Sequence, residues 1–293
     1  MFIDMHVHAY RTPGYPRDFF GKRWATPDEI IQRYDELDIE RGVLLPIVSP
    51  ECRHNFQSNE DIIEFSQKWP DRFIPFCNID PRQLTNTPEA PLQNILLYYQ
   101  EEMGCKGVGE AMANLPFNNP MMENLLKHCE WVGLPFLFHI APAIGGFYGI
   151  YDDPGLPLLE GALKKYPDLT FIGHSQPFWA EIAPLPNLEI RRGYPKGPVE
   201  KPGRVVELMR KYPNLHGDLS AGSGFNAVSR DKDFGIRFLE EFQDRLYFGT
   251  DLCDPNGKTP LVDYLIELRE KKELNEKVFR KIARENIIKL LNL

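Results

Sequence analysis

The sequence predicts a (β/α)8 barrel, a TIM barrel of the α/β class, with residues 1–293 forming one domain. Three observations predict it. Eight short apolar, β-branched runs recur with helical stretches between them. Most of these runs are continuous rather than alternating, the pattern of parallel strands covered on both faces. Successive runs end about 35 residues apart, the size of one βα unit in such a barrel. A chain of 293 residues would by length alone suggest about two domains. No linker divides it, however, and barrels run to ~250 residues as one unit.

The strands read FIDMHVH (2–8), GVLLPIV (42–48), FIPFCNI (73–79), KGVGEA (106–111), LPFLFHI (134–140), LTFIGHS (169–175), LHGDLS (215–220) and LYFGTD (246–251). The first helix is announced by Thr26-Pro27-Asp28-Glu29. Thr is a good N-cap, Pro is pre-set for the first helical position, and Glu three residues after the cap completes a capping box. Ile30, Ile31, Tyr34 and Leu37 continue it as an apolar stripe. Thr259-Pro260 starts another helix in the same way, and 275–293 reads as one closing helix with Val278, Ile282 and Ile288 inward. The longest irregular stretch, about 177–202, follows the sixth strand. Ser220 to Gly224 reads as a flexible loop after the seventh.

Composition narrows the function. Hydrophobic residues make up 42% and charged residues 26%, which excludes a disordered chain and leaves apolar material for a core. Lys+Arg number 34 against 42 Asp+Glu, a net charge of −8. That balance argues against nucleic acid or an anionic membrane as partner. No run approaches 18 apolar residues, so no membrane span is expected. MFIDMHVHAY lacks a basic segment followed by a long apolar one, so no signal peptide is expected. Five scattered Cys with no CxxC suit free thiols in a reducing cytoplasm.

Polar residues collect at strand ends, where barrel active sites form. His6 and His8 sit at i and i+2 on the first strand, so both rings face one side. A lone strand histidine is ordinarily a satisfied polar residue; two inside an apolar strand each need a buried partner. Glu110 ends the fourth strand, His139 closes the fifth, His174 ends the sixth and Asp251 ends the eighth. Four imidazoles and two carboxylates on one rim suit zinc or another divalent transition metal. His128, on a helix, and His216, at the start of the seventh strand, lie away from that rim.

Asp4-Met5-His6-Val7-His8, Glu110, His139, His174 and Gly249-Thr250-Asp251 together resemble the amidohydrolase superfamily. The likeness is to its amidohydrolase-2 group, which includes aminocarboxymuconate semialdehyde decarboxylase, and it covers essentially the whole chain. It implies metal ligation by His6, His8, Glu110, His139 and Asp251, with one or two ions. It implies catalytic roles for His174 and Asp251 in activating water or moving a proton. His174-Ser175-Gln176-Pro177 departs from the group's usual H-x-G-G or H-x-G-E. The function expected is hydrolysis of a small amide, ester or lactone by a metal-activated water. The alternative is decarboxylation of a small aromatic or unsaturated acid, which uses the same ligands.

The loops add candidate substrate contacts. Tyr10, Tyr15, Phe19, Phe20 and Trp24 mix with Arg11, Arg17, Lys22 and Arg23 after the first strand. Arg53 follows the second strand, and Trp179 and Arg191 follow the sixth. Aromatic rings and guanidinium groups suit a flat or carboxylated small molecule. Barrels of this group are often homodimers.

Overall fold

The computed structural model describes residues 1–16, 22–52 and 56–293. Its strands are β1 (Phe2–Val7), β2 (Ile39–Leu44), β3 (Phe73–Pro75), β4 (Val108–Ala111), β5 (Phe136–Ala141), β6 (Ile150–Tyr151), β7 (Phe171–His174), β8 (Leu215–Asp218) and β9 (Leu246–Tyr247). Parallel pairing runs β1-β2-β3 and β4-β5-β7-β8-β9. Parallel bridges Cys77–Val108 and Val7–Leu252 join the two sets at both ends. All strands except β6 therefore close into an eight-stranded TIM barrel, the predicted architecture. β6, unforeseen in the sequence, is a two-residue strand that pairs with the end of β5.

Several predicted strands are shorter in the structure. β2 begins at Ile39, opposite Phe2, and ends at Leu44. Pro46 offers no N–H to continue the ladder, and Ile47 instead bridges Gln57 antiparallel. β9 has only two residues, but its continuation is held by three main-chain bonds. Met5 N donates to Phe248 O at 2.9 Å, Asp251 N to His6 O at 2.8 Å and His8 N to Leu252 O at 2.9 Å.

The first helix, α1 (Pro27–Leu37), starts where its capping signal placed it. Glu29 Oε2 accepts from Thr26 N at 3.0 Å and from Thr26 Oγ1 at 3.1 Å. The segment after β8 differs from the sequence expectation. Ala221–Ser229 is a helix rather than a flexible loop. The closing helix is also interrupted: Glu276–Arg280 and Asn286–Leu291 flank a π-turn over Lys281–Glu285. The π-turn frees the Ile282 carbonyl, which accepts from Phe248 N at 3.0 Å. Asn286 Nδ2 donates to Gln243 O and Leu246 O, both at 2.8 Å. The chain terminus thus clamps the strand that carries Asp251.

Two local irregularities aim the polar residues inward. Ile3 and Met5 pack in the barrel interior with Val43, Leu137 and Ile172, while Phe2 and Val7 pack against the helices. Pairing with β2 shifts between Asp4 and Val7. Such a bulge re-aims the side chains after it, so the inward face passes from Ile3 and Met5 to His6 and His8. A shift between Val108 and Ala111 does the same for Glu110 on β4. It depends on Gly109, at φ 148°, where a Cβ would stand 2.6 Å from the Leu137 carbonyl oxygen.

Candidate metal centre

At the C-terminal mouth of the barrel the structure brings together His6, His8, Glu110, His139, His174 and Asp251, with Asp218 beneath them. All but Asp251 are less than a tenth exposed. Asp251 stands at the rim, its side chain 27% exposed and its backbone left-handed at φ 56°.

One set of atoms converges on a point. His6 Nε2 and His8 Nε2 are 3.1 Å apart. Glu110 Oε2 lies 3.3 Å from His6 Nε2 and 3.4 Å from His8 Nε2. Asp251 Oδ1 lies 3.6 and 3.8 Å from the same nitrogens. Ligands ~2.0–2.2 Å from a tetrahedral ion stand about 3.3–3.6 Å from each other. The observed spacings scatter around that range.

Hydrogen bonding shows why these nitrogens need a cation. His6 Nδ1 donates to Asp218 Oδ2 at 2.7 Å, and His8 Nδ1 donates to the Leu45 carbonyl at 2.8 Å. In the neutral imidazole the other ring nitrogen then carries a lone pair. Two buried lone pairs therefore face each other with two carboxylates beside them. Metal-binding histidines are held in this way, the outer N–H given to a carboxylate or a carbonyl. The electrostatics agree. Burial would lower the proton affinity of His6, but Glu110, Asp218 and Asp251 outweigh it and push that affinity well above the ordinary value. Burial likewise opposes ionisation of Glu110, yet His6 and the His139 hydrogen bond hold it well below the usual carboxylate range.

The remaining members are hydrogen-bonded to that set. Glu110 Oε1 accepts from His139 Nδ1 at 2.7 Å and lies 3.8 Å from His174 Nε2. Glu110, His139 and His174 also offer ligand atoms within 4.8 Å of one another, a second set that could hold an ion. Asp4 ties the two ends of the barrel sheet together under the site. Its oxygens accept from His6 N at 2.9 Å, Thr250 N at 2.8 Å, Thr250 Oγ1 at 2.5 Å and Tyr34 Oη at 2.8 Å. Burial raises the Asp4 carboxyl to about 6 despite those donors.

A cleft with ≈ 390 Å³ of empty space, including its open mouth, lies over the cluster. His8, Glu110, His139, His174 and Asp251 line it together with an apolar cluster of Trp24, Ile47, Cys52, Met112 and Cys253, against which Tyr148 packs. Trp24 stacks on Tyr10 with ring centroids 4.2 Å apart, and Tyr148 lies 4.7 Å from the His139 ring. No Lys or Arg lines this cleft among the described residues.

Of the three residues anticipated at the substrate, two are placed otherwise and one is not described. Arg53 lies outside the described residues, as do Arg17, Phe19 and Phe20. Arg191 is buried away from the cleft, with Nε on Glu181 Oε1 at 2.7 Å, Nη1 on Asp152 O at 2.7 Å and Nη2 on Asp153 O at 3.2 Å. Its guanidinium braces the loop after β7 instead of meeting a ligand. Trp179 is buried behind β8, where Nε1 donates to Asp218 O at 2.8 Å. Arg11 and Arg23, from the first loop, are bound to Glu64 with Asp61 and to Glu29 respectively. Asp218 was not foreseen. The signal was present: it ends a strand, two residues after His216, just as the other mouth residues end theirs.

The family model described as amidohydrolase matches residues 3–293. No match was found among curated proteins. Among solved structures, an uncharacterised TIM-barrel protein from Bordetella bronchiseptica superposes with a TM-score of 0.68 at 16% identity, covering 99% of this chain and 98% of that one. A dihydroxybenzoic acid decarboxylase from Polaromonas sp. JS666, with bound manganese and 2-nitroresorcinol, gives 0.61 at 19% identity, covering 100% and 97%. A probable 2-pyrone-4,6-dicarboxylic acid hydrolase from Acinetobacter baumannii, with citric acid bound, gives 0.59 at 16% identity, covering 100% and 99%.

Proposed function

The chain belongs to the amidohydrolase family, and from that premise we propose that it is a metal-dependent decarboxylase of a small aromatic or unsaturated carboxylic acid. The observation that carries this reading is the mixed lining of the cleft. An aromatic and sulfur-rich cluster lines it beside imidazoles and carboxylates, and no Lys or Arg lines it among the described residues. A planar apolar ring suits the aromatic lining, and among the described residues its carboxylate finds positive charge only at the metal site. The likeness in fold to a manganese-bound decarboxylase supports decarboxylation over the hydrolysis that the sequence alone suggested.

His6, His8, Glu110 and Asp251 would hold one divalent cation, and two imidazoles with two carboxylates suit manganese as well as zinc. The cation would supply fixed positive charge for the substrate's carboxylate or a neighbouring oxygen. Trp24 and Tyr148 flank the ring and exclude water from it. His174, with Nε2 toward the cleft, takes up a proton there and passes it to the carbon that loses its carboxyl group. The C–C bond breaks, its electron pair stays on that carbon and takes the proton, and CO₂ departs. Asp251, partly exposed at the rim, relays protons between His174 and solvent.

The test is a screen of protein reconstituted with manganese or zinc. Hydroxybenzoates are offered beside aryl esters and lactones, with CO₂ release and acid release recorded separately. CO₂ from a hydroxybenzoate is the expected result; acid release without CO₂ would overturn the reading in favour of hydrolysis. Elemental analysis should find about one ion per chain, and less than about a tenth after reconstitution ends the metal reading altogether. His174→Asn should abolish turnover with the ion retained.

A further inference from the structure

Asp218 receives more hydrogen bonds than a strand-end carboxylate needs for its own burial. Its Oδ2 meets His6 Nδ1 at 2.7 Å, His174 Nδ1 at 3.1 Å and Ser220 Oγ at 2.8 Å; its Oδ1 accepts from Ser220 N at 2.9 Å. Ser220 Oγ also lies 3.0 Å from His174 Nδ1. The 2.7 Å between His6 Nδ1 and Asp218 Oδ2 is a hydrogen-bond length, shorter than the spacing of two ligands on one ion. The backbone beneath is fixed too, since Trp179 Nε1 donates to Asp218 O. Gly249 permits the close approach of the neighbouring strand, because a Cβ there would stand 2.7 Å from Asp218 Oδ1.

Counting protons assigns both rings. A carboxylate accepts only, so His6 Nδ1 is the donor to Asp218. A serine hydroxyl has one proton, and it is given to Asp218. Ser220 Oγ can therefore only accept from His174, which places an N–H on His174 Nδ1 as well. Both imidazoles then present a bare Nε2 to the cleft, one toward the cation site and one toward the substrate.

We propose that Asp218, seconded by Ser220, is a positioning residue that locks His6 and His174 in the same tautomer, so that the metal-side and proton-carrying imidazoles are set by one carboxylate. The consequence for catalysis rests on the reading of His174 as proton carrier; the tautomer assignment does not. With an amide at 218, the shared anion is gone and nothing obliges His174 to keep its proton on Nδ1. The Nε2–H form then places a proton where the neutral ring should offer a lone pair.

The experiment is nitrogen NMR of zinc-loaded protein labelled with 15N-histidine. The chain has seven histidines, and the His174→Asn spectrum identifies the ring of interest. Wild type should show His174 protonated at Nδ1 and bare at Nε2. Asp218→Asn should move His174 toward the Nε2–H form. It should also lower kcat and metal affinity by about 10–100-fold, the usual effect of losing such an outer partner. Ser220→Ala keeps Asp218 against both rings, 2.7 Å from His6 Nδ1 and 3.1 Å from His174 Nδ1, so it should leave His174 Nδ1–H in place and metal affinity within about twofold. Asp218→Ala, which leaves neither ring an acceptor there, serves as the readout should Asp218→Asn fold poorly. A His174 signal that stays Nδ1–H once the Asp218 carboxylate is removed would overturn the proposal. A shifted tautomer with unchanged kcat would uphold the positioning role and instead sink His174 as proton carrier.

Discussion

Two buried charged assemblies lie within reach of the segment that follows β7, and they are built on opposite principles. Around Arg191 every charge is answered from within. Its three guanidinium nitrogens meet Glu181, Asp152 O and Asp153 O, and the second oxygen of Glu181 accepts from Gly155 N at 2.7 Å. At the barrel mouth the outer atoms are equally well answered, but the inner ones are not. His6 and His8 turn lone pairs toward each other between two carboxylates. Burying charge is costly unless it is paired. A closed assembly offsets that cost inside the fold, whereas an open one leaves it to be offset by a bound cation. Arg191 looks, from sequence, like a substrate contact; the completeness of its hydrogen bonding makes it a brace.

The contrast can be broken by substitution. The largest effect is expected at the open assembly: His8→Ala should reduce bound metal to below about a tenth of an equivalent and abolish turnover while the protein stays folded, read by elemental analysis and circular dichroism. Arg191→Ala should do the reverse. Leaving Glu181 buried without its partner should cost ~3–5 kcal/mol in urea unfolding, with metal content unchanged. Were Arg191→Ala to lose metal and keep its stability, the division between brace and site would be wrong. Asp4→Asn is intermediate in kind, because Asp4 is a closed knot directly under the open site. An amide cannot accept all four donors, and a loss of ~1–3 kcal/mol is expected, together with weaker metal retention through Thr250 and Asp251.

The smallest effect belongs to the surface. The Arg23 hydrogen bond, against a small burial cost, and the cap of α1 hold the Glu29 carboxyl at about 2. An acid lowered in the folded state contributes stability above its unfolded value near 4.5, and that contribution is lost as pH falls toward 2. Because Glu29 and Arg23 are solvent-exposed in part, the term should be under ~1 kcal/mol. Glu29→Gln should flatten the acid limb of the stability curve between pH 5 and 2 and leave metal binding untouched.

How much of this was legible beforehand varies by residue. The start of α1 could be read because Thr26, Pro27 and Glu29 act within one turn. The closing helix could not be read as interrupted, because its π-turn exists to hand the Ile282 carbonyl to Phe248, a residue 34 positions earlier in the chain. The six mouth residues predicted from strand ends all meet at the mouth. Asp218 escaped because a strand-end aspartate carries no distinguishing neighbour until His6 and His174 are brought beside it.

The sequence by itself determined the eight βα units and the histidines and carboxylates at the strand ends, since both follow from local hydropathy and spacing. It also carried the HxH pair, whose i, i+2 spacing puts two rings on one face. Only the tertiary structure decided that this face is the interior, because a shift of pairing between Asp4 and Val7 moves the inward side from Met5 to His6 and His8. Only the tertiary structure separated Arg191, whose donors are spent, from the site. And only it gave both ring nitrogens of His6 and His174 their roles, since a proton's position on an imidazole is set by whatever partner the fold places at the other nitrogen.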